Sequence, residues 1–118
     1  MKAAYQVWLS LYRDFPKVER MGIGQKIEQA FLDALELTFR ARYLSPVEKL
    51  PVLDRAISKL DVIKFFVQMA WENKLIPMDK YPVFLVQLGE IGRQLGAWKK
   101  GIQEKLLQLQ AKAVGERK

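Results

Sequence analysis

Glu90-Ile91-Gly92-Arg93-Gln94-Leu95-Gly96-Ala97-Trp98-Lys99-Lys100 lies inside a long amphipathic stretch, and its reading decides the fold. Phe84, Leu88, Ile91, Leu95, Trp98 and Ile102 recur at alternating steps of four and three. That spacing lines one face of an α-helix. Gly89, Gly92 and Gly96 interrupt the pattern, each costing about 1 kcal/mol relative to alanine in a helix interior. Their spacings of three and four place them along one stripe. A stripe without side chains lets another backbone come close, either within the bundle or from a ligand. Beside it begins a run of positive charge. Asp79 is the expected cap of this helix, with Pro82 in its first turn. The helix is expected to reach about Lys112, where Gly115 and the charged end let it fray.

Three more helices are legible upstream. The first spans about Ala3 to Asp14, with Ala4, Trp8, Leu11 and Phe15 on one face. Pro16 ends it by pushing Phe15 out of the helical region. The second runs from about Gly22 to Tyr43. Ile23, Ile27, Phe31, Ala34, Thr38 and Ala41 form its inward stripe, and Leu32, Leu35 and Phe39 form a second one. Ser45-Pro46-Val47-Glu48 starts the third, as a serine cap, a first-turn proline and a capping-box glutamate. Pro51 is expected to kink that helix or delay its regular part. Leu53, Ile57, Leu60, Ile63, Val67 and Ala70 then face inward, while Val62, Phe65, Phe66, Met69 and Trp71 add a surplus apolar side. Ile76-Pro77-Met78 breaks the pattern. No strand alternation competes with it. Short connections between four helices predict an all-α, antiparallel up-down-up-down bundle. A single domain is expected over residues 1–118, with its core within 3–112.

Composition narrows the chemistry. The 118 residues contain no cysteine and no histidine. Disulfides and thiolates are excluded, as are the commonest general base and transition-metal ligand. The 13 carboxylates sit mostly at helix-surface spacing near basic residues, with no EF-hand, zinc or Walker pattern. A Glu-x-x-His di-metal pair is impossible without histidine. No catalytic residue, metal or cofactor is therefore expected. There is no apolar run of 18 residues and no secretory signal, so a cytoplasmic protein without a membrane span is expected.

The surplus stripes of helices two and three admit two readings. Wide stripes occur on ordinary core helices, but they also mark surfaces through which identical subunits pack. The sharper expectation is a stable homo-oligomer.

Net charge is +7. From Arg93 onward, seven basic residues (Arg93, Lys99, Lys100, Lys105, Lys112, Arg117, Lys118) stand against two acids (Glu104, Glu116), an excess of five. This is the footprint of a polyanion partner or of a solvated helix end that complements its dipole. The candidate nucleic-acid or polymerase contacts are Arg93, Lys99, Lys100, Lys105 and Lys112. A second cluster is Arg13, Lys17, Arg20 and Lys26 around the first loop, and a third is Arg55 with Lys59. Glu90 and Arg93 read as an ion pair or capping contact rather than catalytic groups. Trp98 reads as core, with base stacking the alternative.

Two motifs carry a family resemblance. Phe15-Pro16-Lys17-Val18-Glu19-Arg20-Met21-Gly22-Ile23-Gly24 resembles the FPK-x-ER-x-G opening of bacterial four-helix-bundle proteins encoded in intervening sequences of 23S ribosomal RNA genes. Glu90-Ile91-Gly92-Arg93-Gln94-Leu95-Gly96-Ala97-Trp98 is similar to the EIGR-x-LGGW signature of the accessory variability determinants (Avd) of diversity-generating retroelements, with Ala97 in place of the second glycine. Leu53-Asp54 and the segment from Leu75 and Ile76 to Asp79 and Tyr81 also fall where that family has comparable residues. The resemblance covers roughly residues 5–102. It implies a barrel-shaped homopentamer of four-helix bundles that binds a retroelement reverse transcriptase and nucleic acid through basic surfaces. It also implies support of mutagenic copying of a template-repeat RNA, with no catalytic residue of its own. The wider family implies instead a structural homo-oligomer of undefined role.

Overall fold

A computed structural model describes residues 1–116, all helical apart from short connections, with no strand among the described residues. The elements are α1 (Lys2–Arg13), α2 (Lys17–Glu19), a π-helical turn (Arg20–Gly24), α3 (Gln25–Ala41), α4 (Pro46–Glu72) and α5 (Tyr81–Glu116). The four long helices α1, α3, α4 and α5 form a four-helix bundle. α3 packs on α4, α4 on α5, and α1 on α5.

An aromatic column holds the centre. Trp8, Phe31 and Phe84 are fully buried. Trp8 stacks on Phe31 with ring centroids 6.3 Å apart, and Phe31 stacks on Phe84 at 6.1 Å. Phe15 meets Trp8 edge-on at 5.5 Å. Around this column the inward stripes close as their periods require. Ile27, Ala30, Phe31 and Ala34 of α3 are buried, as are Leu53, Ala56, Leu60, Ile63, Val67 and Ala70 of α4. Leu88, Ile91, Leu95 and Ile102 of α5 join them, and Trp98 is half-buried.

A partly buried carboxylate ties α1 to α3. The Trp8 indole Nε1–H donates to Glu28 Oε2 at 2.8 Å, and the Tyr5 hydroxyl donates to Glu28 Oε1. The buried indole needs such an acceptor, because an unpaired buried donor costs about 1–3 kcal/mol.

Four boundaries differ from the sequence expectation. The second helix begins at Lys17, because Pro16 stands at its cap and the Pro16 carbonyl accepts from Arg20 N–H at 2.9 Å. The chain then passes through the π turn into α3 without a break. α4 starts as expected, but the Ser45 hydroxyl donates to Glu48 Oε1 at 2.8 Å instead of capping a backbone N–H. It runs through Pro51, which sits near its start and removes only one N–H donor. α4 ends at Glu72, before the Ile76-Pro77 break. Lys74 adopts a left-handed φ of 62°, its N–H bonds Trp71 O at 2.9 Å, and Leu75 N–H bonds Ala70 O at 2.9 Å. This Schellman-type cap satisfies the last carbonyls at the expense of a strained lysine. α5 begins at Tyr81, so Lys80 rather than Asp79 stands at the cap. Its other end continues past Lys112 to Glu116, and residues 117–118, part of the expected fray, lie outside the described residues.

The α5 helix of 36 residues is about 54 Å long at 1.5 Å per residue. It outruns its neighbours, and the long axis of the chain is 66 Å. The last buried residue is Ile102; from Gln103 to Gly115 only Leu106 is even half-buried.

Candidate nucleic-acid interface

The three cation clusters meet different fates. In the seam between α4 and α5, Lys99 Nζ lies 2.5 Å from Asp54 Oδ1. Arg93 pairs with Glu90 one turn away on α5 at 2.5 Å, the ion pair expected. Lys59 of α4 pairs with Asp33 of α3 at 3.3 Å. These three cations are engaged in ion pairs. Arg55 is exposed and lines a groove between α3 and α4 with Asp33, Glu36, Arg40, Asp54 and Lys59. Three acids and three cations share that groove, and their fields largely cancel. Lys100 and Lys105 are exposed and make no ion pair among the described residues, and Lys112 is exposed on the projecting part of α5. Lys26 is exposed on α3, outside every groove described below.

The corner where α1 turns into α2 is different. Arg13, Lys17 and Arg20 converge on a shallow groove of about 570 Å³ lined also by Leu9, Tyr12, Met21 and Gln25. None of these cations makes an ion pair among the described residues. Neither neighbouring acid, Asp14 or Glu19, lines the groove. Its wall is fixed from behind. The Tyr12 ring stacks on Trp8 at 5.0 Å, and its hydroxyl donates to the Arg20 carbonyl at 2.9 Å. Gly24 is required here: a Cβ would lie 2.5 Å from Tyr12 Cε1 and 3.1 Å from the Glu19 carbonyl oxygen. Spacing grouped Arg13, Lys17 and Arg20 with Lys26, which lies outside the groove, and did not single out Tyr12, Met21 and Gly24 as its frame. The signal available was Leu9, Tyr12 and Arg13 at steps of three and four.

The glycine stripe is not uniform. At Gly92 a Cβ would sit 3.3 Å from Leu60 Cδ2 and 3.3 Å from Lys64 Nζ, so α5 approaches α4 closely there. At Gly96 nothing lies within 4 Å, and at Gly89 only an Arg93 nitrogen at 3.9 Å. Close packing within the chain therefore explains Gly92 alone. Half-buried Trp98 carries Lys49 Nζ above its ring, 5.6 Å from the centroid.

The surplus stripes are partly open: Leu35, Phe66 and Trp71 are half-buried. Leu32 and Phe39 on α3, Tyr43 in the turn just past its end, and Val62, Phe65 and Met69 on α4 are exposed. Phe39 and Phe65 each expose 58% of their surface. Their aromatic neighbours are close in sequence, Tyr43 beside Phe39 at 5.4 Å and Phe66 beside Phe65 at 5.1 Å.

One titration is shifted. Burial pushes the Tyr5 hydroxyl up to about 12 from 10.0, aided by its hydrogen bond to Glu28 and by the charge of that carboxylate. Among the described residues no group of three or more carboxylates comes together to hold a metal ion. No described helix is long and apolar enough to cross a membrane.

A four-helix bundle with a cation-lined corner belongs to the class of small helical bundle proteins. Within that class the family is defined: the bAvd-like family model matches residues 2–102, and the chain belongs to that family. No curated protein matches the chain.

Proposed function

We propose that this chain is a non-catalytic accessory protein of a diversity-generating retroelement, binding its reverse transcriptase and nucleic acid through basic surfaces. In that role it supports mutagenic reverse transcription and needs no cofactor. The observation that carries the reading is the bAvd-like match over residues 2–102, nearly the whole bundle. The net charge of +7 supports it, since Lys and Arg release counterions from phosphates on binding. Self-association belongs to the same reading. The exposed stripes of α3 and α4 are the subunit contacts in this reading, and the resemblance to Avd proteins supports five subunits. A ring repeats each basic patch by symmetry, so modest single sites gain avidity.

The test is co-expression with a reverse transcriptase of a diversity-generating retroelement. The expected outcome is co-purification of the enzyme, an assembly mass of five times 13.7 kDa by light scattering, and loss of template-repeat cDNA when the chain is omitted. An assembly that captures neither enzyme nor RNA favours the structural homo-oligomer of the ribosomal intervening-sequence type.

A further inference from the structure

Most of the positive charge of this molecule is dispersed or neutralised. Lys59, Arg93 and Lys99 are held by Asp33, Glu90 and Asp54, and the α3–α4 groove mixes three acids with its cations. Among the described residues, the α1–α2 corner alone joins several cations without ion pairs, no lining acid, and an apolar wall. Its geometry is also preformed. Tyr12 is locked between Trp8 and the π turn, and Gly24 admits the ring edge at a distance no side chain would allow. The π turn sets Arg20 and Met21 opposite the end of α1, so cations from three consecutive elements share one concavity.

We propose that this corner is the single-strand binding site of the protein: Arg13, Lys17 and Arg20 take successive phosphates, and an unstacked base rests on the Leu9–Met21 wall. The inference rests on the nucleic-acid reading above and names the site and strand form within it. The charge complementarity is to phosphate, because the groove holds cations and no acid. The strand form follows from the wall. A duplex presents its phosphates outward and keeps its bases stacked, so Leu9, half-buried, and Met21, 70% exposed, gain nothing from it. A single strand can lay a base on them while its backbone tracks the cations.

The experiment is fluorescence anisotropy with the full chain, a dye-labelled 20-nucleotide oligouridylate and a hairpin RNA duplex, each titrated with salt. The variants are the triple Arg13→Gln, Lys17→Gln, Arg20→Gln; Met21→Ala; and a control, Lys100→Gln with Lys105→Gln. All positions are exposed, and circular dichroism and light scattering confirm unchanged helicity and mass. The triple variant is expected to weaken oligouridylate binding about tenfold or more near 0.1 M salt. It should also flatten the log K against log salt slope by about 2, the sum of three phosphates at roughly 0.7 each. Met21→Ala should weaken oligouridylate severalfold with the slope unchanged and leave the duplex unaffected. The control should lose less than the triple variant. A triple variant that binds like the parent while the Lys100/Lys105 variant loses affinity overturns the site and leaves the nucleic-acid reading standing. Equal affinity for duplex and single strand, with Met21→Ala silent, overturns the strand assignment. Displacement of oligouridylate by polyglutamate at equal charge concentration overturns it in favour of an acidic protein partner. A parent chain that binds neither RNA at low salt overturns the site together with the reading it rests on.

Discussion

The N-terminal helix α1 and the last turns of α5, residues 103–116, are end segments of similar length held in opposite ways. α1 has 12 residues, too few for a stable isolated helix in water. It is anchored from outside: Ala4, Trp8 and Leu11 are buried, and Tyr5 and Trp8 both donate to Glu28. Over residues 103–115 the end of α5 has no fully buried residue and only Leu106 half-buried, yet it continues the bundle stripe, with Leu106, Leu109 and Ala113 following Ile102. It is helical because the bundle has already nucleated the helix and because its Gln, Lys, Leu and Ala residues propagate it well. One segment is a helix because of what it touches, and the other because of what precedes it.

Truncation of the buried anchor should give the largest effect. Trp8→Ala should destabilise the fold by about 3–5 kcal/mol in urea unfolding, whereas Leu109→Ala should change it by less than about 0.5 kcal/mol. A loss at Leu109 approaching the one at Trp8 would break the comparison and show that a second chain covers the end of α5. The polar half of the anchor comes next. Glu28→Ala leaves the buried Trp8 N–H without its acceptor, and a loss of about 1–3 kcal/mol is expected by the same measurement. Glycine substitution separates packed from open helix. Gly96→Ala meets nothing within 4 Å and should stabilise by up to about 1 kcal/mol. Gly92→Ala presses on Leu60 and should gain less or lose. A destabilising Gly96→Ala whose penalty grows with protein concentration would place Gly96 at a subunit contact. The smallest effect is in pH. Tyr5 should ionise near 12, read as the 295 nm absorbance lost in Tyr5→Phe. Its folded pKa lies above the unfolded 10.0, so this contribution to stability is whole below pH 10 and is lost as pH rises towards 12.

Much of the bundle was legible because helical periodicity is local. The inward sets of all four long helices are buried as their spacing required, with Ile23, Thr38, Ile57 and Trp98 half-buried at the margins. The capping details were less legible, since Lys74 takes a left-handed conformation that no glycine announced. The π turn was invisible for a similar reason: it is stabilised by Tyr12 reaching back from α1, a contact across eight residues. Among the candidate cations, spacing grouped Arg13, Lys17, Arg20 and Lys26; the first three line one groove and Lys26 lies outside it. Spacing did not reveal that Lys59 and Lys99 meet Asp33 and Asp54 on neighbouring helices, because the packing of two helices sets those distances.

The sequence by itself determined the helices, their inward faces, the excess of positive charge and the absence of thiol and imidazole chemistry, since each follows from residue identity and a 3.6-residue period. Only the tertiary structure decided which cations are neutralised and which converge, which glycine is needed for contact, and where the apolar stripe of α5 loses its partners. Those outcomes depend on distances between residues far apart in the chain, and helix packing fixes them.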